Sequence, residues 1–297
     1  MKHLLLIPLI STLLLSSKFN DLDSLVNKAN MEKAQKRKNL SDIFKQRMRT
    51  QLMARDTFFI TIGYKKEFYI KELLNISNLF DKDIKKFTQN KKEIKNLSVK
   101  VPDYSKRVKR LINTWSKFYK NIKIITKNSK DRDAHKYIKE NNVLLLTDID
   151  FIIRKNIEFG ESSDDFLKKL QHANFMLFTQ IGIPRTYIYK IIKEKLLIQE
   201  EIDVIEYRQN LNITIYSLDR LLRAFVYGDN TLQLSGTRDK EFLTKLLPIS
   251  KLWKELKPLY KKEVLSKDEF EIMIKKSDEF IEKHTKLVKF SNQIVDQ

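Results

Sequence analysis

The chain contains no cysteine among its 297 residues. Disulfides, thiolate metal sites, thioether haem attachment, a lipoprotein anchor and Cys/His catalysis are therefore excluded. Glycine and proline number only 5 each, too few for a loop-rich or β-rich fold. The four histidines are His3, His135, His172 and His284, and none follows a glutamate by three residues, so the Glu-x-x-His pairs of a di-iron bundle are missing. No Gly-x-Ser-x-Gly elbow, P-loop or dinucleotide fingerprint occurs. Together these absences predict a protein that is not an enzyme, with no cofactor and no metal site. His135 has Asp131 and Asp133 nearby, a grouping read as a solvated helix start. No apolar run reaches the roughly 20 residues of a transmembrane helix.

What the chain does have is charge and helix formers. Charged residues make up 32% and hydrophobic ones 42%, rich in Lys, Leu, Ile and Glu, which predicts long amphipathic helices and an all-α fold. The formal net charge of +20 is unevenly spread: residues 18–160 carry 34 Lys and Arg against 17 Asp and Glu, and residues 161–297 carry 23 against 21. Such a field concentrates anions of any kind. The basic residues between Lys106 and Lys123 lie opposite the apolar seam of Trp115 and Phe118, so they read as a solvated face and predict no nucleic-acid partner. Lys2 followed by the apolar run from Leu4 to Leu15 has the form of a secretory signal, which predicts a signal peptide over 1–17 and a periplasmic or secreted mature chain.

Apolar periodicity predicts a first helix ending near Gly63, with a break between Asn30 and Asn39 left open, then helices at about 67–87, 108–125 and 133–158. The lysine-rich stretch 88–102 reads as a connector. Phe159-Gly160-Glu161-Ser162-Ser163-Asp164 reads as a linker, after which the pattern repeats. Thr50-Gln51 pairs with Thr179-Gln180, Asn75-Ile76 with Asn212-Ile213, Trp115 with Trp253, and Ile138-Lys139 with Ile274-Lys275. These pairings predict two tandem antiparallel four-helix bundles with long helices, 18–160 and 161–297, separated by an offset that grows from 129 to about 138. In that register Met176 falls where Arg47 sits and Pro184 near Arg55, so the second copy is degenerate and lacks the arginines.

The residues of most chemical interest lie between Phe44 and Phe59. Met48, Leu52 and Phe59 form an apolar stripe, with Arg47, Thr50, Gln51 and Arg55 beside it. Guanidinium groups at a packed interface suit planar anions, because their donors form a rigid fork. Gln46 to Asp56 resembles the Arg-Gln-Arg-Met-x-Ser-Gln-x-x-Ala-Lys-Asp signature of the periplasmic domain of type IV pili methyl-accepting chemotaxis transducers, which is related to the sensor domains of nitrate/nitrite histidine kinases. Arg47-Met48, Thr50-Gln51 and Ala54-Arg55-Asp56 carry the likeness, and Trp115 and Asn142 to Leu145 resemble later patterns of that family. Ile43-Phe44 stands where the family has Ala-Gly.

The resemblance implies a small anion, nitrate or nitrite, bound at Arg47, Thr50, Gln51 and Arg55. It also implies a homodimer that brings two copies of the first helix together, and a role in sensing. Signalling would pass through a membrane sensor kinase or chemoreceptor partner. The competing expectation is a ligand-free helical protein-protein interaction module.

Overall fold

The computed structural model describes residues 45–159 and 180–294. The signal segment, the open break at 30–39, the linker, Met176 and Thr179 lie outside the described residues. Those described are helical with no strand, only an isolated bridge between Asp229 and Leu234. The helices are α1 (45–61), α2 (Lys66–Gln89), α3 (Lys91–Lys100), α4 (Tyr104–Lys127), α5 (Arg132–Phe159), α6 (Ile183–Gln199), α7 (Val204–Tyr227), α8 (Lys240–Lys261) and α9 (Lys267–Ile294). No helix among them is long and apolar enough to cross a membrane.

Most of these helices bury one face. In α4 that face is Tyr104, Val108, Leu111, Trp115, Phe118, Ile122 and Ile125, at the spacing of three and four that the sequence predicts. The stretch 88–102, expected as a connector, instead folds as α3. Asn90 caps it by accepting from the Glu93 amide at 3.3 Å, and Leu97 anchors it in the core. Sequence periodicity missed this helix because its other positions are mostly lysine and polar.

Two helices differ from the rest. Every side chain of α1 from Thr50 to Ile60 is buried, as is every one of α6 from Ile191 to Ile198. A helix buried on all sides occupies a core. The described parts of both halves accordingly belong to one compact unit, Phe44–Gln297.

The contacts between the halves come in reciprocal pairs. Tyr64, after α1, donates to Glu271 on α9 at 2.7 Å, while Asp203, after α6, pairs with Lys139 on α5 at 2.7 Å. Arg55 of α1 stacks on Tyr189 of α6, and Lys193 of α6 donates to Gln51 of α1. Positions 51 and 55 thus meet positions 189 and 193 crosswise, the self-complementary pattern produced by a two-fold axis.

That pairing sets a register different from the one expected. The turn after α1 is closed by Gly63 N–H to Ile60 O and Tyr64 N–H to Phe59 O; the turn after α6 is closed by Glu201 N–H to Ile198 O and Ile202 N–H to Leu197 O. Each of these bonds in the second half lies 138 residues after its equivalent, and so do the left-handed residues Lys65 (φ 41°) and Asp203 (φ 43°). The indole of Trp115 donates to Asp81 at 3.0 Å, and that of Trp253 donates to Asp219 at 3.0 Å, again 138 apart. The offset is therefore constant from α1 onward through α4, with no insertion between the first two helices. Met176 and Pro184 are not the equivalents of Arg47 and Arg55; Arg185 and Lys193 are.

One position tests the register through the backbone. Gly63 adopts φ 75° at no steric cost, whereas its equivalent Glu201 holds φ 57° with a Cβ. Glu201→Gly is expected to stabilise the protein by about 1 kcal/mol, because a side chain in the left-handed region costs roughly 1–2 kcal/mol and glycine returns part of that as chain entropy. The urea midpoint of the variant measures it, and a lower midpoint would contradict the account.

Candidate functional site

The four expected ligand residues do share one buried region of α1, but each is engaged within the protein. Thr50 donates to Arg47 O at 2.8 Å and accepts from Gln51 Nε2 at 3.2 Å, while Gln51 Oε1 accepts from Lys193 at 3.4 Å. Arg47 pairs with Asp150 on α5 at 2.6 Å. Asp83 and Asp148 are taken by Arg49 and by Arg107 with Arg110.

Arg55 is held more completely. Its Nε and Nη2 donate to Asp56 at 2.9 and 2.6 Å, and Nη2 also reaches Glu72 at 3.1 Å. Its guanidinium lies over the rings of Tyr189, Tyr69 and Phe59 at 4.7, 5.4 and 5.5 Å. Arg55 and Asp56 are 3% and 0% exposed, so the guanidinium and the carboxyl group form a fully desolvated pair in an aromatic cage. Asp278 from α9 adds a third carboxyl. Burial pushes Asp56, Glu72 and Asp278 all upward, Asp56 to about 8, and a neighbouring carboxylate adds to the rise of Asp56 and Glu72.

The crosswise equivalent of that pair is Lys193-Glu194. Lys193 Nζ donates to Asn142 Oδ1 at 3.1 Å, and Asn142 Nδ2 donates to Thr50 O at 2.8 Å, so the buried asparagine that resembles a family pattern bridges the halves. Burial pulls Lys193 down to about 8 and pushes Glu194 up; Glu194 also accepts from Thr214 at 3.2 Å.

Arg185 occupies the place of Arg47, in the first turn of α6. Asp150, the partner of Arg47, has Thr285 as its counterpart if α9 is aligned on α5 from their first residues, since Arg132 and Lys267 both open helices of 28 residues. Arg185 Nη1 donates to Thr285 Oγ1 at 3.3 Å, and its Nε has no hydrogen-bond partner. The arginine is kept and the carboxylate is replaced by a hydroxyl. Among the described residues no acid pairs with Arg185, and burial holds its pKa down. Beside Thr285, His284 is 0% exposed and neither of its ring nitrogens has a partner. A Cβ placed on Gly182, the equivalent of position 44, would meet one described atom within 4 Å, the Arg185 Nη2 at 3.8 Å. Among the described residues, the second half thus combines a half-buried guanidinium with a buried Nε and no counter-charge, and a buried imidazole lacking partners.

No protein-family model, no curated protein and no solved structure matches the chain. The candidate site therefore rests on its own chemistry. That chemistry suits a small anion, because a half-buried guanidinium without a paired acid is costly and an oxyanion both neutralises it and accepts its donors. Sequence reasoning missed Arg185 because it let the register slip. The signal was present as Arg-x7-Arg-Asp at Arg47 and Arg-x7-Lys-Glu at Arg185, which share one spacing at an offset of 138.

His135 is half-buried at the start of α5, and burial lowers its pKa. Its ring contacts Ser129 O and Thr61 Oγ1 at 3.0 Å each, and Asp131 Oδ1 accepts from the Ala134 amide to start α5. No group of metal-ligating side chains occurs among the described residues.

Proposed function

We propose that this protein is an extracytoplasmic sensor or accessory module, built as two tandem four-helix bundles, that binds a small oxyanion such as nitrate or nitrite and reports it to a membrane kinase or chemoreceptor. The observation that carries the reading is Arg185, a half-buried arginine whose equivalent in the other half has a carboxylate partner while it has a threonine. The anion-binding residues are then Arg185 and Thr285 on the second half. The Arg47, Thr50, Gln51 and Arg55 stripe supplies the packed counterpart across the central helix pair. Gly182 supports this, since the family that α1 resembles has glycine at that place and Phe44 stands there in the first half. The chain would reproduce within one molecule the pairing of first helices that the resemblance implies for a homodimer. A change in how α1 and α6 pack, favoured by the anion in one of two arrangements, would be the signal.

A thermal-shift series on the purified chain tests the site. Nitrate at 100 times its dissociation constant is expected to stabilise the fold by about 2.7 kcal/mol. For a unit of this size that raises the melting temperature by about 2–4 °C. Arg185→Ala should abolish the shift and Arg185→Lys should weaken it, since an ammonium lacks the planar fork. Loss of the shift in Arg47→Ala but not Arg185→Ala would return the site to the first half. Chloride at equal ionic strength is the control for screening. Equal shifts with nitrate, nitrite and chloride would rule out a specific site.

The competing interaction-module reading is favoured by a row of exposed apolar side chains on one face of α7, Ile205, Ile213 and Tyr216. It takes over if no anion discriminates.

A further inference from the structure

Resting on the oxyanion reading above, we propose that anion binding at Arg185 is coupled to uptake of one proton from solvent by His284, so that the protein responds to the anion more strongly in acid. The argument begins with the geometry. His284 is fully buried on α9, its ring stacked on Phe280 at 5.9 Å between centroids, with both nitrogens lacking partners. A neutral imidazole has one donor and one acceptor, so the ring leaves both capacities unmet in the core. The next residue, Thr285, is the one that Arg185 touches.

Two forces keep the ring neutral: burial first, then repulsion by Arg185, and together they hold its pKa at about 3. Among the described residues, Arg185 is the one charged group that acts on it; α1 meets α9 farther along, at Phe270 through Phe59. From α6 the charged group acting on His284 is Arg185, with the Tyr189 hydroxyl behind it; from α8, Lys245 lies over the ring of Phe290 instead. On α9 itself, Asp278 faces Arg55, while Glu279 and Glu282 pair with Lys283 and Lys286.

An anion beside Arg185 cancels the repulsion and supplies the missing acceptor for a ring N–H. Its negative charge also offsets the cost of an imidazolium in the core, which moves the ring back toward the ordinary histidine value near 6.5. No bond forms or breaks except the N–H of the incoming proton.

The coupling is read by measuring nitrate affinity by calorimetry on the full chain between about pH 5 and pH 8 at constant ionic strength. Nitrate does not titrate in that range, so any slope belongs to the protein. The dissociation constant is expected to be flat above about pH 7 and to tighten about tenfold by about pH 5, as one-proton linkage requires. Buffers of different ionisation enthalpy should report net proton uptake at the acid end. His284→Gln should bind nitrate with a flat profile. If wild-type affinity changes less than twofold across the range with no buffer dependence, the coupling is wrong while the anion site stands. A wild-type slope in His284→Gln would overturn the assignment to this residue. Should that variant fail to fold, the buffer dependence of the wild type still decides the coupling. No nitrate-specific binding at any pH would overturn the site reading and this inference together.

Discussion

Above about pH 8, where Asp56 is ionised, replacing Arg55 by alanine is expected to destabilise the fold by about 3–5 kcal/mol, the usual cost of stripping one partner from a buried ion pair. Asp56 would be left in the core without its two charge-assisted hydrogen bonds, with Glu72 and Asp278 close by. The stacking on Tyr189, Tyr69 and Phe59 would be lost as well. Because Tyr189 belongs to α6 and the other two rings to the first half, the damage should fall on the contact between halves. Adding Asp56→Asn to Arg55→Ala should recover part of the loss, since the penalty is the orphaned carboxylate and not only the missing arginine. Urea unfolding of the single and double variants measures both effects. A loss below about 1 kcal/mol for Arg55→Ala would mean that water reaches Asp56.

The second large effect is a stability minimum near pH 8. Asp56 is raised to about 8 by burial, so between its unfolded value near 4 and about 8 the native state holds the extra proton, and stability falls as pH rises. Glu72, Asp278 and the buried Glu194, all shifted upward, act in the same direction. His284 opposes them only below about 6.5, where the unfolded chain binds the proton that the buried ring refuses. Lys193 has the opposite sign at the alkaline end. Burial lowers it to about 8, so below that value both states are protonated and folding bears the whole penalty. From about 8 to about 10.4 the unfolded chain holds more protons, and stability climbs by up to about 1.4 kcal/mol per pH unit. Urea midpoints between about pH 6.5 and pH 10 should therefore fall and then rise. Asp56→Asn should flatten the first limb and Lys193→Met the second; a monotonic profile in the wild type would contradict both assignments.

How much of the site could be read in advance depended on which neighbours were local. Arg47, Thr50, Gln51 and Arg55 were recognisable as one helical stripe because residues three and four apart share a face. Their partners were not, since Asp150, Tyr189 and Lys193 approach from other helices and leave no mark at a fixed spacing. Asn142 was legible as a buried polar group by its place in the apolar seam of α5, but that it links Thr50 to Lys193 follows only from how the halves meet. The register slipped for a related reason. Thr50-Gln51 and Thr179-Gln180 match as letters, whereas the turn bonds after α1 and α6 match as geometry, and backbone geometry survives substitution better than dipeptides do.

The sequence by itself determined the helical class, the buried faces of the amphipathic helices and the presence of a repeat, because helical periodicity and scarce glycine and proline are local properties of the chain. It also determined that arginines would stand within an apolar helix. Only the tertiary structure decided which of them are balanced. A carboxylate at 150 pairs with Arg47, and a threonine at 285 meets Arg185. Whether a buried charge is balanced depends on the residue packed against it from a distant segment, and that residue is set by the way the two halves interlock.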